Sequence, residues 1–170
     1  MSGIELTFQC GLISGFMPKR YSGSETEIRQ VDAYVKLMRC ADTVQGVLAR
    51  NAEAHGITLS QLGVLEILHH LGPSHQKDLA EKILRSGANM TTIIDNLEKR
   101  GFVSRTKDKA DRRISRISLT EKGRKLIAEI FPFHMQNIHR MLGILNDEEL
   151  QQLATLCKKL GTGARARMTL

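Results

Sequence analysis

The chain has 170 residues and a net charge of +7, contains no Trp, and is 41% hydrophobic by residue count. This length predicts one domain with a modest core. No apolar run approaches the ~20 residues that a membrane-spanning helix needs. Lys19-Arg20 follows the N-terminal apolar stretch instead of preceding it, which is unlike a secretory signal. We therefore expect a cytoplasmic protein that does not enter a membrane.

The first part of the chain divides into an extension and a helix. Residues 1–24 are rich in Gly and Ser, and we expect a flexible or weakly ordered extension there. From 26 to 54 apolar residues recur three or four apart, as on one face of a helix. They are Tyr34, Met38, Ala41, Val44 and Leu48.

Two shorter helices should follow. Thr58 or Ser60 opens the second helix, which Gly72-Pro73 ends. Ser74 is placed to cap a third helix over 75–84. This third helix and the helix that follows it form a pair of short helices joined by a tight turn. Such a pair is typical of a helix-turn-helix, in which the first helix braces a second that enters a DNA groove.

The next helix is the one that would do the reading. Ser86 caps it, Gly101 ends it, and its inward stripe comprises Met90, Ile93, Ile94 and Leu97. Its other positions include small, amide-bearing or cationic side chains, which suit base edges and phosphates. We expect DNA contacts from Ser86, Asn89, Thr91, Thr92, Asn96 and Lys99.

A β-hairpin should come next. Segments 102–106 and 114–119 alternate polar and apolar residues, as half-buried strands do, and 107–113 is too polar to be core. Narrow minor grooves attract Arg, so a basic hairpin tip would suit a wing that flanks the reading helix. The expected contacts here are Arg105, Lys107, Arg112 and Arg113, with Asp111 orienting an arginine by a salt bridge.

The last part of the chain should be helical. Thr120 caps a long fifth helix, which Pro132 must kink or split. Asn146 with Glu149 forms a capping-box pattern that opens a final helix. Gly161 should end that helix and leave a frayed tail over 162–170.

Charge supports the nucleic-acid interpretation. The segment 75–125 holds 14 Lys and Arg against 7 Asp and Glu, whereas the remainder holds 11 of each, so the whole excess of +7 lies in the proposed reading module. A basic surface confined to one lobe is typical of a protein that binds a polyanion. An ordinary solvated face is the alternative for charge alone, and the order of helix and hairpin favours double-stranded DNA.

These motifs together resemble the MarR (multiple antibiotic resistance regulator) family over about residues 28–160. The matching runs are Leu59-Ser-Gln-Leu-Gly-Val-Leu, Asp78-Leu-Ala-Glu, Asn89-Met-Thr, Asp95-Asn-Leu-Glu-Lys-Arg-Gly, Asp111-Arg-Arg, Leu119-Thr-Glu-Lys-Gly and Asn146-Asp-Glu-Glu-Leu. The Asp-Arg-Arg wing followed by Leu-Thr-Glu-Lys-Gly is the most specific part. The extension over 1–24 departs from the commoner family pattern.

The resemblance implies a mainly α fold with a small β-wing, that is, a winged helix-turn-helix with N- and C-terminal dimerisation helices. It places the MarR-like domain at 25–161, with the reading module at about 58–120 and dimerisation helices at about 26–54 and 121–161. It also implies a homodimer that binds a pseudo-palindromic operator, usually as a repressor. A small aromatic effector would then bind near Met38, Leu65 and His69.

Other classes of function remain as alternatives. Cys40 could make the protein a thiol-responsive regulator, although its position mid-helix favours an inert, packed cysteine. The histidines could suggest a metal-responsive regulator, but no Cys or carboxylate completes a ligand set, so we expect no metal and no cofactor. A winged helix that docks an acidic protein is a third alternative. No catalytic constellation is present in the sequence, so we do not expect an enzyme.

Overall fold

The computed structural model describes residues 22–83, 87–107 and 115–168. It is mainly helical with a small antiparallel sheet, which confirms the predicted fold class. The elements in chain order are α1 (Glu25–Ala54), α2 (Leu59–Leu71), β1 (Ser74–His75), α3 (Gln76–Ile83), α4 (Gly87–Lys99), β2 (Val103–Lys107), β3 (Ser115–Leu119), α5 (Glu121–Leu142) and α6 (Asp147–Met168).

The chain divides into two compact units, residues 1–43 and 44–170, with the boundary inside α1. In the first unit a reciprocal cap starts the helix, because the Ser24 backbone N–H donates to Glu27 Oε2 at 2.8 Å. This bond and one from the Ser24 hydroxyl favour the ionised carboxylate and lower the pKa of Glu27. The cap therefore stabilises α1 at neutral pH, and this stabilisation is lost as the pH falls through the lowered pKa of Glu27.

The core of the second unit is built from the helices and strands around the reading module. Helices α2 to α5 each contribute the inward residues of one stripe, among them Leu65 on α2, Leu79 on α3, Leu97 on α4 and Ile127 on α5. All four are fully buried. Burying a side chain of this size is worth about 1.5–3 kcal/mol, so this cluster holds α4 in place.

The sheet has the strand order β1-β3-β2, with both pairings antiparallel. Val103 pairs with Leu119 at the open end of the β2–β3 hairpin, where both side chains are buried, and Lys107 pairs with Ser115 at the end that leads to residues 108–114. The two strands agree with the predicted segments to within one residue at each end. The strand ends at Lys107 and Ser115 therefore lie at the end of the hairpin opposite the buried pair.

The prediction that Ser74 caps a helix is wrong. Ser74 and His75 form β1, which pairs with Ile117 and Arg116 of β3, and the helix begins only at Gln76. The Ser74 hydroxyl donates to the Gly72 carbonyl at 3.1 Å instead of capping the helix. Pairing with a distant strand is a tertiary effect that local propensity does not contain.

Three predicted helix starts are confirmed. Thr58 caps α2 in a capping box with Gln61. Thr120 caps α5 by accepting the Gly123 N–H at 3.1 Å. Asn146 and Glu149 exchange backbone-to-side-chain hydrogen bonds of 2.9 and 3.0 Å at the start of α6. These side chains pair helix-terminal N–H groups that have no partner within the helix.

The last two helices run further than the sequence suggests. Pro132 lies inside α5 without splitting it, so of the two predicted outcomes a split is excluded. The predicted end at Gly161 is wrong, because α6 continues to Met168. Gly161 is not among the glycines with positive φ, so it does not terminate the helix and costs only about 1 kcal/mol relative to Ala.

Candidate DNA-contacting surface

One face of α4 is buried and the opposite face is open. Met90, Ile94 and Leu97 are fully buried and anchor the helix in the core. The predicted contact residues that the structure describes on this helix all lie on the exposed face: Asn89, Thr91, Thr92, Asn96 and Lys99. The face thus carries two amides, two hydroxyls and a cation, while the core fixes the helix axis.

The hydroxyl of Thr91 is held by two hydrogen bonds. Gln76, at the start of α3, donates from Nε2 to Thr91 Oγ1 at 2.7 Å. The hydroxyl in turn donates to the carbonyl of Gly87 at 3.1 Å. Gln76 is not among the residues predicted from the sequence, because a contact between residues fifteen apart leaves no local periodic signal. The usable signal would have been a long polar side chain at the start of the first helix of the pair.

Arg105 is held within the protein, although we expected it to contact DNA. Its guanidinium pairs with Asp95 and, at 3.1 Å, with Glu98, both on α4. Its backbone N–H also donates to Glu98 Oε1 at 3.1 Å. Lys107, two residues further along β2, is exposed. The two cations of this strand therefore have different environments.

The turn between α4 and β2 is tightly specified. Gly101 has φ +72°, which L side chains rarely adopt, and donates to the Glu98 carbonyl at 2.8 Å. Phe102 donates to the Leu97 carbonyl at 2.9 Å, and both side chains are buried, as in a Schellman motif. This turn sends the chain from the end of the reading helix directly into the hairpin.

The start of α5 packs against the same turn. The Thr120 hydroxyl lies 2.7 Å from the Gly101 carbonyl, and the Thr120 N–H donates to the Phe102 carbonyl at 3.1 Å. The cations of Arg100 and Lys122 lie over the Phe102 ring, 4.8 and 4.9 Å from its centroid. These two cations of the basic segment therefore have structural contacts.

Several predicted contacts lie outside the described residues. They are Ser86, expected to cap the reading helix, and the hairpin-tip residues Asp111, Arg112 and Arg113. Their roles stay predictions from the sequence. The strands that lead to and from the tip are described, and they place its two ends at Lys107 and Ser115.

The arrangement of a braced helix followed by a hairpin also occurs in known regulators. The sequence profile of the MarR family matches residues 57–115. The chain is 33% identical over 143 residues to the uncharacterised HTH-type transcriptional regulator YkoM of Bacillus subtilis, a match that covers 84% of this chain and 93% of YkoM. The chain belongs to the MarR family. It is therefore a DNA-binding transcriptional regulator.

Two further proteins extend this comparison. The MarR-family chain is 29% identical over 133 residues to the HTH-type transcriptional repressor MdtR of Bacillus subtilis, covering 78% of this chain and 86% of MdtR. Its structure also matches that of BpsR from Bordetella bronchiseptica with a TM-score of 0.69, at 25% identity, covering 76% of this chain and 98% of BpsR. That structure concerns the regulation of BpsR DNA binding by 6-hydroxynicotinic acid.

The predicted effector residues of this MarR-family protein lie in different environments. Leu65 is fully buried in the core, so it can reach a ligand only if the core opens. His69 is exposed and lies beside His70 and Phe131, with ring centroids 5.1 and 6.3 Å away. Met38 belongs to the first unit and is 37% exposed. Only His69 lies in an accessible aromatic cluster.

The cysteine prediction needs correction, whereas the metal prediction is not contradicted. Cys40 is exposed in this chain, so the packed position that we expected is wrong. Within residues 22–83, 87–107 and 115–168, no three His, Cys, Asp or Glu side chains are grouped closely enough to hold a metal ion.

Among the helices that the structure describes, none is long and apolar enough to cross a membrane.

Proposed function

We propose that this protein is a cytoplasmic repressor that binds a pseudo-palindromic operator as a homodimer and has no catalytic activity. The observation that carries the proposal is the exposed polar face of α4, which is anchored from behind by fully buried residues. Such a helix fits a major groove about 12 Å wide. The name of MdtR, a repressor, supports this direction of regulation.

The proposed dimer uses the chain ends. On α6 the apolar residues Leu153, Leu156 and Leu160 are 40, 63 and 56% exposed. On α1, Tyr34 and Leu37 are 51 and 36% exposed. Exposed apolar side chains that repeat along one face of a helix mark an interaction site. We assign dimerisation to 26–54 and 121–161 and DNA reading to 58–120.

The hydrogen bonds of Thr91 restrict what it can read. A hydroxyl has one proton and two acceptor lone pairs. The proton goes to Gly87 and one lone pair accepts from Gln76, so one lone pair is left for DNA. Thr91 should therefore accept from an amino group, such as adenine N6 or cytosine N4, instead of donating to guanine.

Helix and wing should contribute differently to binding. Asn89→Ala should cost ~1–3 kcal/mol per half-site on the operator and little on random DNA, because amide contacts read base edges. Arg113→Ala should weaken binding to both duplexes and flatten the salt dependence by about one unit per lost phosphate contact. Binding titrations across a salt series measure both effects, with a duplex from the gene's own promoter and with a scrambled duplex.

The same titrations separate this proposal from a protein-interaction module. Wild-type protein should prefer the promoter duplex, and its affinity should fall steeply as salt is raised. If the wild-type protein shows no preference between the two duplexes at physiological salt, the DNA-reading role of α4 is refuted. If the double variant Arg112→Ala/Arg113→Ala binds the promoter with unchanged affinity, the wing assignment is wrong.

We further propose a small aromatic effector that binds beside His69 and weakens operator binding. The cluster of His69, His70 and Phe131 offers ring faces and imidazole nitrogens to an aromatic acid or phenol. The regulation of BpsR by 6-hydroxynicotinic acid supports this ligand class. A ligand acts in this way only if it binds the non-operator arrangement of the dimer more tightly.

Aromatic carboxylates and phenols titrated into the operator complex should lower its affinity. In His69→Ala this response should be lost with operator affinity retained, whereas the exposed control His139→Ala should respond as the wild type does. A screen in which none of these ligands changes affinity would refute the effector. The exposed thiol of Cys40 favours a second candidate, a thiol-responsive regulator. In that case peroxide would weaken operator binding by the wild-type protein but not by Cys40→Ser.

A further inference from the structure

A charged clasp joins the reading helix to the first strand of the wing. It consists of Arg105 on β2 with Asp95 and Glu98 on α4. The Arg105 side chain is only 26% exposed, and the two carboxylates are 40 and 37% exposed. A planar guanidinium can bind two carboxylates at once in a fixed orientation, which an ammonium group cannot do.

The clasp adds contacts between side chains to the connection that the turn makes between helix and strand. At residues 101 and 102 the turn connects helix and strand through backbone hydrogen bonds at the C-terminal end of α4. The Arg105 side chain adds a second connection near the middle of α4, and its backbone N–H adds a third by donating to Glu98. Two bodies joined at separate points keep their relative angle, so helix and hairpin move together.

The clasp also changes the electrostatics of this part of the surface. Two carboxylates surround one guanidinium, so the cluster carries a formal charge of −1 within a segment whose net charge is +7. A guanidinium with two acidic partners gains little from a phosphate, because it would have to give up a charge-assisted pair to bind one. The exposed neighbour Lys107 has no such restriction from these two acids.

We propose that Arg105 is a positioning residue for DNA recognition that is withheld from phosphate by Asp95 and Glu98. The clasp sets the angle between the reading helix and the wing, so that both can engage their grooves on the operator. It also keeps one cation from adding to sequence-independent binding. The proposal rests on the DNA-reading role given above and assigns the specificity of that role to three charged residues that do not touch DNA.

Three variants test the clasp. Arg105→Gln removes the guanidinium, Arg105→Lys keeps the charge but cannot bridge two carboxylates in the same way, and Asp95→Asn/Glu98→Gln frees the arginine. The matched control is Lys107→Gln, which removes a cation from the same face of the same strand. Operator and scrambled duplexes are titrated with each protein across a salt series, and thermal unfolding reports whether each variant is folded.

In Arg105→Gln and Arg105→Lys the ratio of operator to scrambled affinity should fall about five- to tenfold, the lower end of typical coupling between sites. The salt slope should stay at the wild-type value in both. In Asp95→Asn/Glu98→Gln the ratio should also fall, but scrambled DNA should bind more tightly and the slope should steepen. In Lys107→Gln the slope should flatten by about two units for the dimer, with the ratio nearly unchanged.

Other outcomes would overturn the clasp. If Arg105→Gln flattens the salt slope as Lys107→Gln does, Arg105 binds phosphate and the inference is wrong. If Arg105→Gln does not fold, Arg105→Lys and the Asp95/Glu98 variant decide, and an unchanged affinity ratio in both refutes the clasp. The proposed function itself fails only if the wild-type protein shows no operator preference, so the two failures are distinguishable.

Discussion

Gly123→Ala is expected to unfold the reading module or to destabilise it by about 3 kcal/mol or more, at the upper end of the cost of overpacking. A Cβ built on Gly123 would lie 2.0 Å from the carbonyl oxygen of Phe102. That oxygen belongs to the backbone and accepts the Thr120 N–H, so it cannot rotate away as a side chain could. Thermal or chemical unfolding, followed by circular dichroism, measures the loss.

The matched control is Gly63→Ala, in the interior of α2. A Cβ there would meet only Ile83 Cδ1 at 3.8 Å, an ordinary contact. Because Ala is the better helix former, this variant should be equally stable or gain about 0.5–1 kcal/mol. If Gly123→Ala unfolds at the same temperature as Gly63→Ala, the close approach of α5 to the turn is not a constraint on this fold.

The Gly123 contact gives a physical reason for a motif that the sequence identifies only by its resemblance to the MarR family. In Leu119-Thr-Glu-Lys-Gly123, Leu119 is buried in the sheet, Thr120 caps α5, and Lys122 Nζ donates to the Arg100 carbonyl at 2.9 Å. Gly123 lets the first turn of α5 lie directly on the Phe102 carbonyl. Thr120, Lys122 and Gly123 therefore connect the start of α5 to the end of the reading helix.

Features encoded by neighbours in the chain could be predicted. The caps at Thr58, Thr120 and Asn146 each act within three residues, and the inward stripe of α4 repeats every three or four. A reader of the sequence can therefore recognise both without knowing the fold. The same holds for the alternating strands, because one face of the hairpin lies on the core.

Features that depend on distant partners could not be predicted. Ser74 has the composition of a helix cap, but pairing with Ile117 makes it part of a strand. Arg105 has the composition of a phosphate contact, but α4 places two carboxylates beside it. Gln76 appeared unremarkable until the fold brought Thr91 within hydrogen-bond distance. In each case the deciding group is seven or more residues away.

Leu156→Asp is expected to convert the proposed dimer to monomers. In the single chain the Leu156 side chain is 63% exposed and lies on the same face of α6 as Leu153 and Leu160. A helix whose apolar face has no cover in its own chain gains from covering that face with a second copy. Burying an unpaired carboxylate in each subunit there should cost at least about 3 kcal/mol, more than a hundredfold in the dimer dissociation constant.

The matched control is Gln151→Asp, which introduces the same side chain on the opposite, exposed face of α6. Sedimentation or light scattering at micromolar concentration should show a dimer for the wild type and for Gln151→Asp, and monomers or insoluble protein for Leu156→Asp. Leu153→Asp should behave as Leu156→Asp does. A stable dimer in both leucine variants would exclude this face of α6 from the dimer contact.

Loss of the dimer should also remove operator binding. A monomer presents one reading helix, so it engages one half-site and loses the second set of contacts that a two-fold operator provides. Its folded core should persist, because Leu97, Ile117 and Ile127 are buried within the single chain without help from α6. Leu156→Asp should therefore keep the cooperative unfolding of the reading module while its operator affinity falls to that for scrambled DNA. Such a separation would show that α6 supplies the spacing of two reading heads and not the fold of either one.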